Sequence, residues 1–200
     1  MLTPQLEDEL NVALNEATML GLEFDPESRR IGLTLSLLAL PEGPEPMTEP
    51  RVLFLFGNIK RVIVSFRDGA WNDPLARVLP VEPDGLLAVC RELGAQAIYG
   101  WEFLGGAERA LAEWGDRISL DWRAPEAEAS TYSFAAFQEG VERHLDFAFW
   151  FDTIECRTPS GVPVALDELA AAGRRFWDGV HAGDQRTSES GIVAGKPPMA

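Results

Sequence analysis

The stretch HLDFAFWFDTIEC, residues 144–156, gathers His144, Asp146, Asp152, Glu155 and Cys156 among three phenylalanines and a tryptophan. An imidazole two residues from a carboxylate can form an oriented general-base pair, because the carboxylate fixes the tautomer and the direction of the ring. His144, Asp146 and Asp152 are therefore the candidate catalytic residues, and the chemistry they would suit is hydrolysis or a metal-assisted reaction. A bound metal would need further ligands that one strand cannot present. The two cysteines, Cys90 and Cys156, and the two histidines, His144 and His181, show no C-x-x-C or H-x-x-x-H spacing. No metal site and no cofactor is expected from such a set.

Strand geometry sets a second reading beside the catalytic one. Successive side chains of an extended strand take opposite faces. Leu145, Phe147, Phe149 and Phe151 then form one apolar row, and His144, Asp146, Ala148, Trp150 and Asp152 form the other. An antiparallel strand with one wet face must place polar residues there. The stretch is accordingly expected to be a core strand whose histidine and acids face solvent, and the reading leans away from an enzyme. No G-x-S-x-G elbow, phosphate-binding P-loop or G-x-G-x-x-G fingerprint occurs elsewhere.

The six tryptophans offer a different kind of site. Tryptophan and arginine are favoured at the energetic centres of protein interfaces, and GRRFWDG, residues 173–179, sets two arginines beside two aromatic rings. Trp71, Trp101, Trp150, Arg174, Arg175 and Trp177 are the candidate binding residues, on an acidic surface studded with aromatics.

The elements that must position these groups follow from periodicity and punctuation. A helix is predicted over residues 3–15, with Thr3 as N-cap and Pro4 in the first turn. Residues 20–24 and 31–37 alternate around an Asp25-Pro26-Glu27-Ser28 turn and predict a hairpin. Residues 41–50 carry four prolines and must be an irregular loop. Strands are predicted over 52–56 and 61–66, joined through Gly57-Asn58-Ile59-Lys60, then over 97–104, 118–123 and 131–138, the last pairing with 144–156. Helices are predicted over 83–93, 106–114 and 165–177. Short turns between strands exclude a parallel crossover. The expected architecture is α+β, a mainly antiparallel twisted sheet with three to four helices on one face or at its ends. Residues 1–181 form the expected single domain, and residues 182–200 a polar, flexible tail.

Composition bounds the partners. The chain has 200 residues, 46% of them hydrophobic, enough for a core without a disulfide or metal staple. Its 32 acids outnumber 17 bases, a formal charge of −15, and the first 50 residues hold ten acids against Arg29 and Arg30. That field repels nucleic acid and anionic membrane surfaces and favours a basic protein partner. No apolar run approaches the ~20 residues of a membrane span, and the N-terminus lacks the pattern of a secretory signal. Two thiols in apolar surroundings suit a reducing compartment, so a cytoplasmic location is expected.

Four short motifs carry a resemblance: YGWEF (residues 99–103), SLDW (119–122), LDFAFWFD (145–152) and GRRFWDG. Over most of residues 10–180 the chain resembles a group of uncharacterised acidic α+β proteins from high-GC actinobacteria. Fifteen arginines beside two lysines, Lys60 and Lys196, agree with that origin. The resemblance implies no activity and gives no residue a role. The function expected from the sequence is non-enzymatic binding.

Overall fold

The computed structural model describes residues 2–45, 51–70, 73–103, 106–125, 129–139 and 142–190. Helix α1 spans Pro4–Ala13, with Thr3 Oγ1 accepting from the Leu6 N–H at 3.2 Å. Strands β1 (Thr18–Asp25) and β2 (Arg30–Ser36) make the expected hairpin, closed by the Asp25 carboxylate, which accepts from the Glu27 and Ser28 N–H groups. Leu20 is the exception to the alternation: a register shift between Met19 and Gly21 turns it outward.

Strands β3 (Arg51–Gly57), β4 (Arg61–Asp68) and β5 (Arg77–Val78) follow. A 3₁₀ turn, Pro83–Gly85, leads into α2 (Leu86–Leu93), β6 (Gln96–Glu102) and α3 (Gly106–Trp114). Then come β7 (Leu120–Arg123), β8 (Tyr132–Glu139), β9 (Arg143–Phe151), β10 (Thr153–Arg157), β11 (Pro163–Val164) and α4 (Leu166–Ala182). The eleven strands form one antiparallel sheet in the order β11-β10-β3-β2-β1-β6-β8-β9-β4-β5, with β7 beside β4. The α+β architecture is as the sequence predicts.

Two joints act as corners, and the second divides the strand expected over residues 144–156. Gly57 to Lys60 does not turn β3 back against β4; the chain runs on through a corner. Residues 144–156 likewise break at Asp152 into β9 and β10. Both corners lie side by side, since Gly57 pairs with Thr153 and Arg61 with Trp150. Two long neighbouring strands therefore bend together and fold the sheet over a shared core. Inside lie Met19, Leu22, Ile31, Leu33, Phe54 and Phe56 from one half, and Val62, Val64, Phe134, Leu145, Phe147 and Phe149 from the other. The Phe56 ring meets Phe149 edge-on at 4.8 Å and Phe151 at 4.9 Å. Burial of each such ring stabilises by about 2 kcal/mol.

The two outer faces differ. Helix α3 covers β8, β9 and part of β4 through a small second core of Ile63, Ala107, Ala110, Trp114, Ala135 and Ala148. On β2 and β3 the outward residues Gly32, Thr34, Leu53 and Leu55 are only half-buried, and on β10 Thr153 and Glu155 are exposed. At one end α1 and α4 cross so closely that a Cβ on Gly173 would lie 2.4 Å from the Ala13 Cα. The expected boundary at residue 181 falls inside the last turn of α4. A 3₁₀ segment, Gln185–Ser190, follows it and buries Thr187 against Gly179.

Candidate functional site

The apolar row of β9 is where alternation puts it, with Leu145, Phe147, Phe149 and Phe151 all buried in the shared core. The opposite row corrects the expectation of a wet face. His144 is 2% exposed and Asp146 9%, beneath neighbouring elements rather than in solvent. The reason is the second core: α3 lies over this face, while Arg67 of β4 and Phe137 of β8 close in from the sides.

Burial brings charges together. Arg67 stands opposite His144 in register, and Ser65 opposite Asp146. Arg67 Nη2 donates to Asp146 Oδ2 at 2.5 Å, and His144 Nε2 lies 2.9 Å from Asp146 Oδ1. Phe137 packs on the imidazole with ring centroids 5.4 Å apart. One carboxylate is thus clamped between a guanidinium and an imidazole, the arrangement by which a buried acid offsets its lost hydration. Ser65 Oγ and His144 Nδ1 have no hydrogen-bond partner among the described residues, so no serine–histidine relay is formed.

Access to the pair is narrow. Asp146 reaches the edge of a hollow of about 190 Å³ under α3, lined also by Glu102, Arg109, Glu113 and Trp114. That is smaller than the roughly 300–1,000 Å³ of small-molecule sites. Among the described residues, no three histidine, cysteine or acidic side chains are grouped so as to hold a metal ion.

Asp152 is elsewhere. It sits at the corner between β9 and β10, where it accepts from the Thr131 N–H at 2.9 Å, the Thr131 hydroxyl at 3.2 Å and the Asn58 side-chain amide. Lys60 Nζ is 3.5 Å away. Partial burial works against its ionisation, yet the Thr131 donors, Lys60 and Asn58 together hold the carboxyl below its usual range. Its partners tie both corners and the start of β8 to one point. His144, Asp146 and Asp152 therefore do not form one constellation.

The candidate binding residues disperse as well. Trp101 is buried, donating from Nε1 to the Ile98 carbonyl at 3.2 Å and meeting Phe134 edge-on. Trp150 is half-buried under α3, its Nε1 donating to Glu108 at 2.6 Å with the Arg61 guanidinium over its ring. Trp177 packs edge-on against Phe176 at the α4 end, where Arg175 Nε donates to the Leu40 carbonyl at 2.9 Å. Arg174 pairs with Glu9 at 3.0 Å. Trp71 lies outside the described residues. The indoles of Trp101, Trp150 and Trp177 belong to three different packing clusters.

Sequence reasoning missed Arg67, the partner that explains why Asp146 can be buried. The available signal was Ile63, an apolar residue on the same face as Ser65 and Arg67, together with the apolar stripe Ala107, Ala110, Leu111 and Trp114 of α3. Both thiols are free and buried, and burial pushes Cys90 and Cys156 up to about 12. Compared with protein-family models, with curated proteins and with solved structures, the chain matches none.

Proposed function

We propose that the chain is a non-enzymatic binding protein that takes a basic protein partner through its acidic surface, in a reducing, cytoplasmic setting. The formal charge of −15 supplies the long-range attraction. The observation that carries the reading is the engagement of Asp146, whose two oxygens meet Arg67 and His144. Asp152, with three hydrogen-bond donors and the Lys60 charge beside it, is likewise committed to scaffolding. The free thiols fit the compartment.

A hydrolase using His144, Asp146 and Asp152 is the second reading, and one observation favours it. Asp146 shares its hollow with two other carboxylates, Glu102 and Glu113. The hollow's size and the separation of Asp152 weigh against it. No described helix is long and apolar enough to cross a membrane.

Immobilised protein should retain a small lysine- or arginine-rich protein at low salt and release it as ionic strength passes about 0.15 M, where the Debye length is near 8 Å. A charge-balanced protein of the same size should not be retained. Retention unchanged at high salt sinks the electrostatic reading. Ester or phosphoester hydrolysis that Asp146→Asn abolishes, in a variant that still folds, sinks the non-enzymatic one.

A further inference from the structure

The uncovered outer face of β2, β3 and β10 carries a site of opposite charge to the rest of the molecule. Three cross-strand rows lie side by side there: Arg30–Gly57–Thr153, Gly32–Leu55–Glu155 and Thr34–Leu53–Arg157. Glycine at 32 and 57 leaves part of the face without side chains. Near Gly57 the result is a hollow of about 370 Å³, within the roughly 300–1,000 Å³ range of small-molecule sites. A Cβ on Gly57 would lie 2.5 Å from Thr153 Oγ1, so a larger residue there would have to turn the Thr153 hydroxyl aside.

Its wall is built from Ser28, Arg29, Arg30, Asn58, Glu155 and Arg157. Arg29 and Asn58 both hold left-handed backbone, φ 53° and 54°. The Arg29 carbonyl accepts from the Ile59 N–H at 3.0 Å, which fixes the hairpin turn to the corner. The wall is therefore made of chain segments tied to one another, a preorganised arrangement. Arg29 and Arg30 make no ion pair among the described residues. Arg157 is paired with Glu155, Nη2 to Oε2 at 2.8 Å, and Glu155 is the one acid in the wall. Asp25, next to the hairpin turn, accepts from the Ser28 hydroxyl and two turn N–H groups and also feels the charge of Arg30.

Three of the fifteen arginines of a strongly acidic chain thus converge on one polar hollow. The guanidinium fork matches the oxygens of a phosphoryl group, and such charge-assisted pairs are about twice as strong as neutral ones. We propose that this hollow binds a phosphoryl dianion, free or carried on a small hydroxylated molecule. Thr153, Ser28 and Asn58 offer polar contacts to the body of such a ligand, and Glu155 is the competitor that the dianion displaces from Arg157.

Titration calorimetry of the full chain with inorganic phosphate, and separately with glycerol 3-phosphate, tests the site. Saturable binding is expected, weakened about tenfold or more by Arg29→Gly and by Arg157→Ala, each of which removes a charge-assisted partner. Arg29→Gly suits the left-handed backbone and keeps the fold, which thermal melting checks. Glu155→Gln tightens binding by removing a like charge, and Arg77→Ala, on β5 at the other end of the strand order, leaves it unchanged. Tighter binding of the ester than of phosphate assigns an esterified ligand, and equal binding assigns the free oxyanion. No saturable binding of either probe, or affinities unaltered in both arginine variants, overturns the proposal.

Discussion

Asp146 shows how a single partner changes what a residue can be. Alone on a strand it reads as a solvent-facing acid; beside Arg67 it becomes a buried anion held on both oxygens. Removing one member of a buried charge pair strands the other, at a cost of about 3–5 kcal/mol. Asp146→Asn should therefore lower the urea midpoint sharply, and His144→Ala less, since the Arg67 pair survives. Equal midpoints for Asp146→Asn and wild type would mean that the cluster is not scaffolding. The inward row of β9 was legible in the sequence because period-two alternation is local. The burial of its outer row was not, because it depends on α3, over thirty residues away along the chain. The thiols carry a second residue-scale expectation. Burial raises Cys90 and Cys156 from an ordinary value of 9.0 to about 12. Between those values the unfolded chain releases protons that the folded chain keeps, so these groups make stability fall as pH rises through that window. Native protein at about pH 8 should react slowly with a thiol-specific disulfide reagent, and unfolded protein fast. Rapid labelling of both thiols in the native state would contradict their burial.

At the scale of elements, what the sequence announced and what it concealed divide by range. Helix α1 was readable from Thr3 and Pro4, and the β1–β2 hairpin from its alternation and its Asp25 turn, since each signal lies within a few residues of its effect. The joint Gly57-Asn58-Ile59-Lys60 has the composition of a hairpin turn, yet it acts as a corner. Its direction is set by β10 and β9, which pair with the strands on either side of it. The crossing of α1 and α4 is another contact that local pattern cannot give. Gly173 sits on the inward stripe of α4, and its missing side chain lets the Ala13 backbone approach. Gly173→Ala adds one methyl group where the nearest neighbour is main chain, so repacking a side chain cannot relieve it. Despite the better helix propensity of alanine, this variant should lose about 1–3 kcal/mol. Thermal unfolding measures the loss, and an unchanged or raised Tm would show that the helices can slide apart at little cost.

For the whole molecule the decisive feature is that both long strands bend at the same place. Each half of the sheet lays its apolar face on the other, so the main core belongs to both, and the small second core under α3 belongs to one half alone. Asp152 stands where the halves meet and binds Asn58, Lys60 and Thr131, from the neighbouring corner and from the approach to β8. If the corner joins two mutually dependent halves, loosening it must weaken both at once. Asp152→Ala removes the acceptor shared by the exposed Thr131 donors and the part-buried Asn58 amide, a loss of about 1 kcal/mol. The variant should still unfold in one transition, with a lower denaturant midpoint and an unchanged slope, since the area exposed on unfolding is the same. Amide exchange in β3 and β10 should accelerate together with that in β4 and β9. Two resolved transitions, or faster exchange on one side of the corner alone, would mean that the halves are separate cooperative units. That outcome would also affect the arginine-lined hollow, whose wall spans the hairpin turn, the corner and β10. A ligand held there by Arg29 and Arg157 should restore the midpoint of Asp152→Ala in proportion to its occupancy, because a molecule that binds only the folded corner stabilises both halves at once.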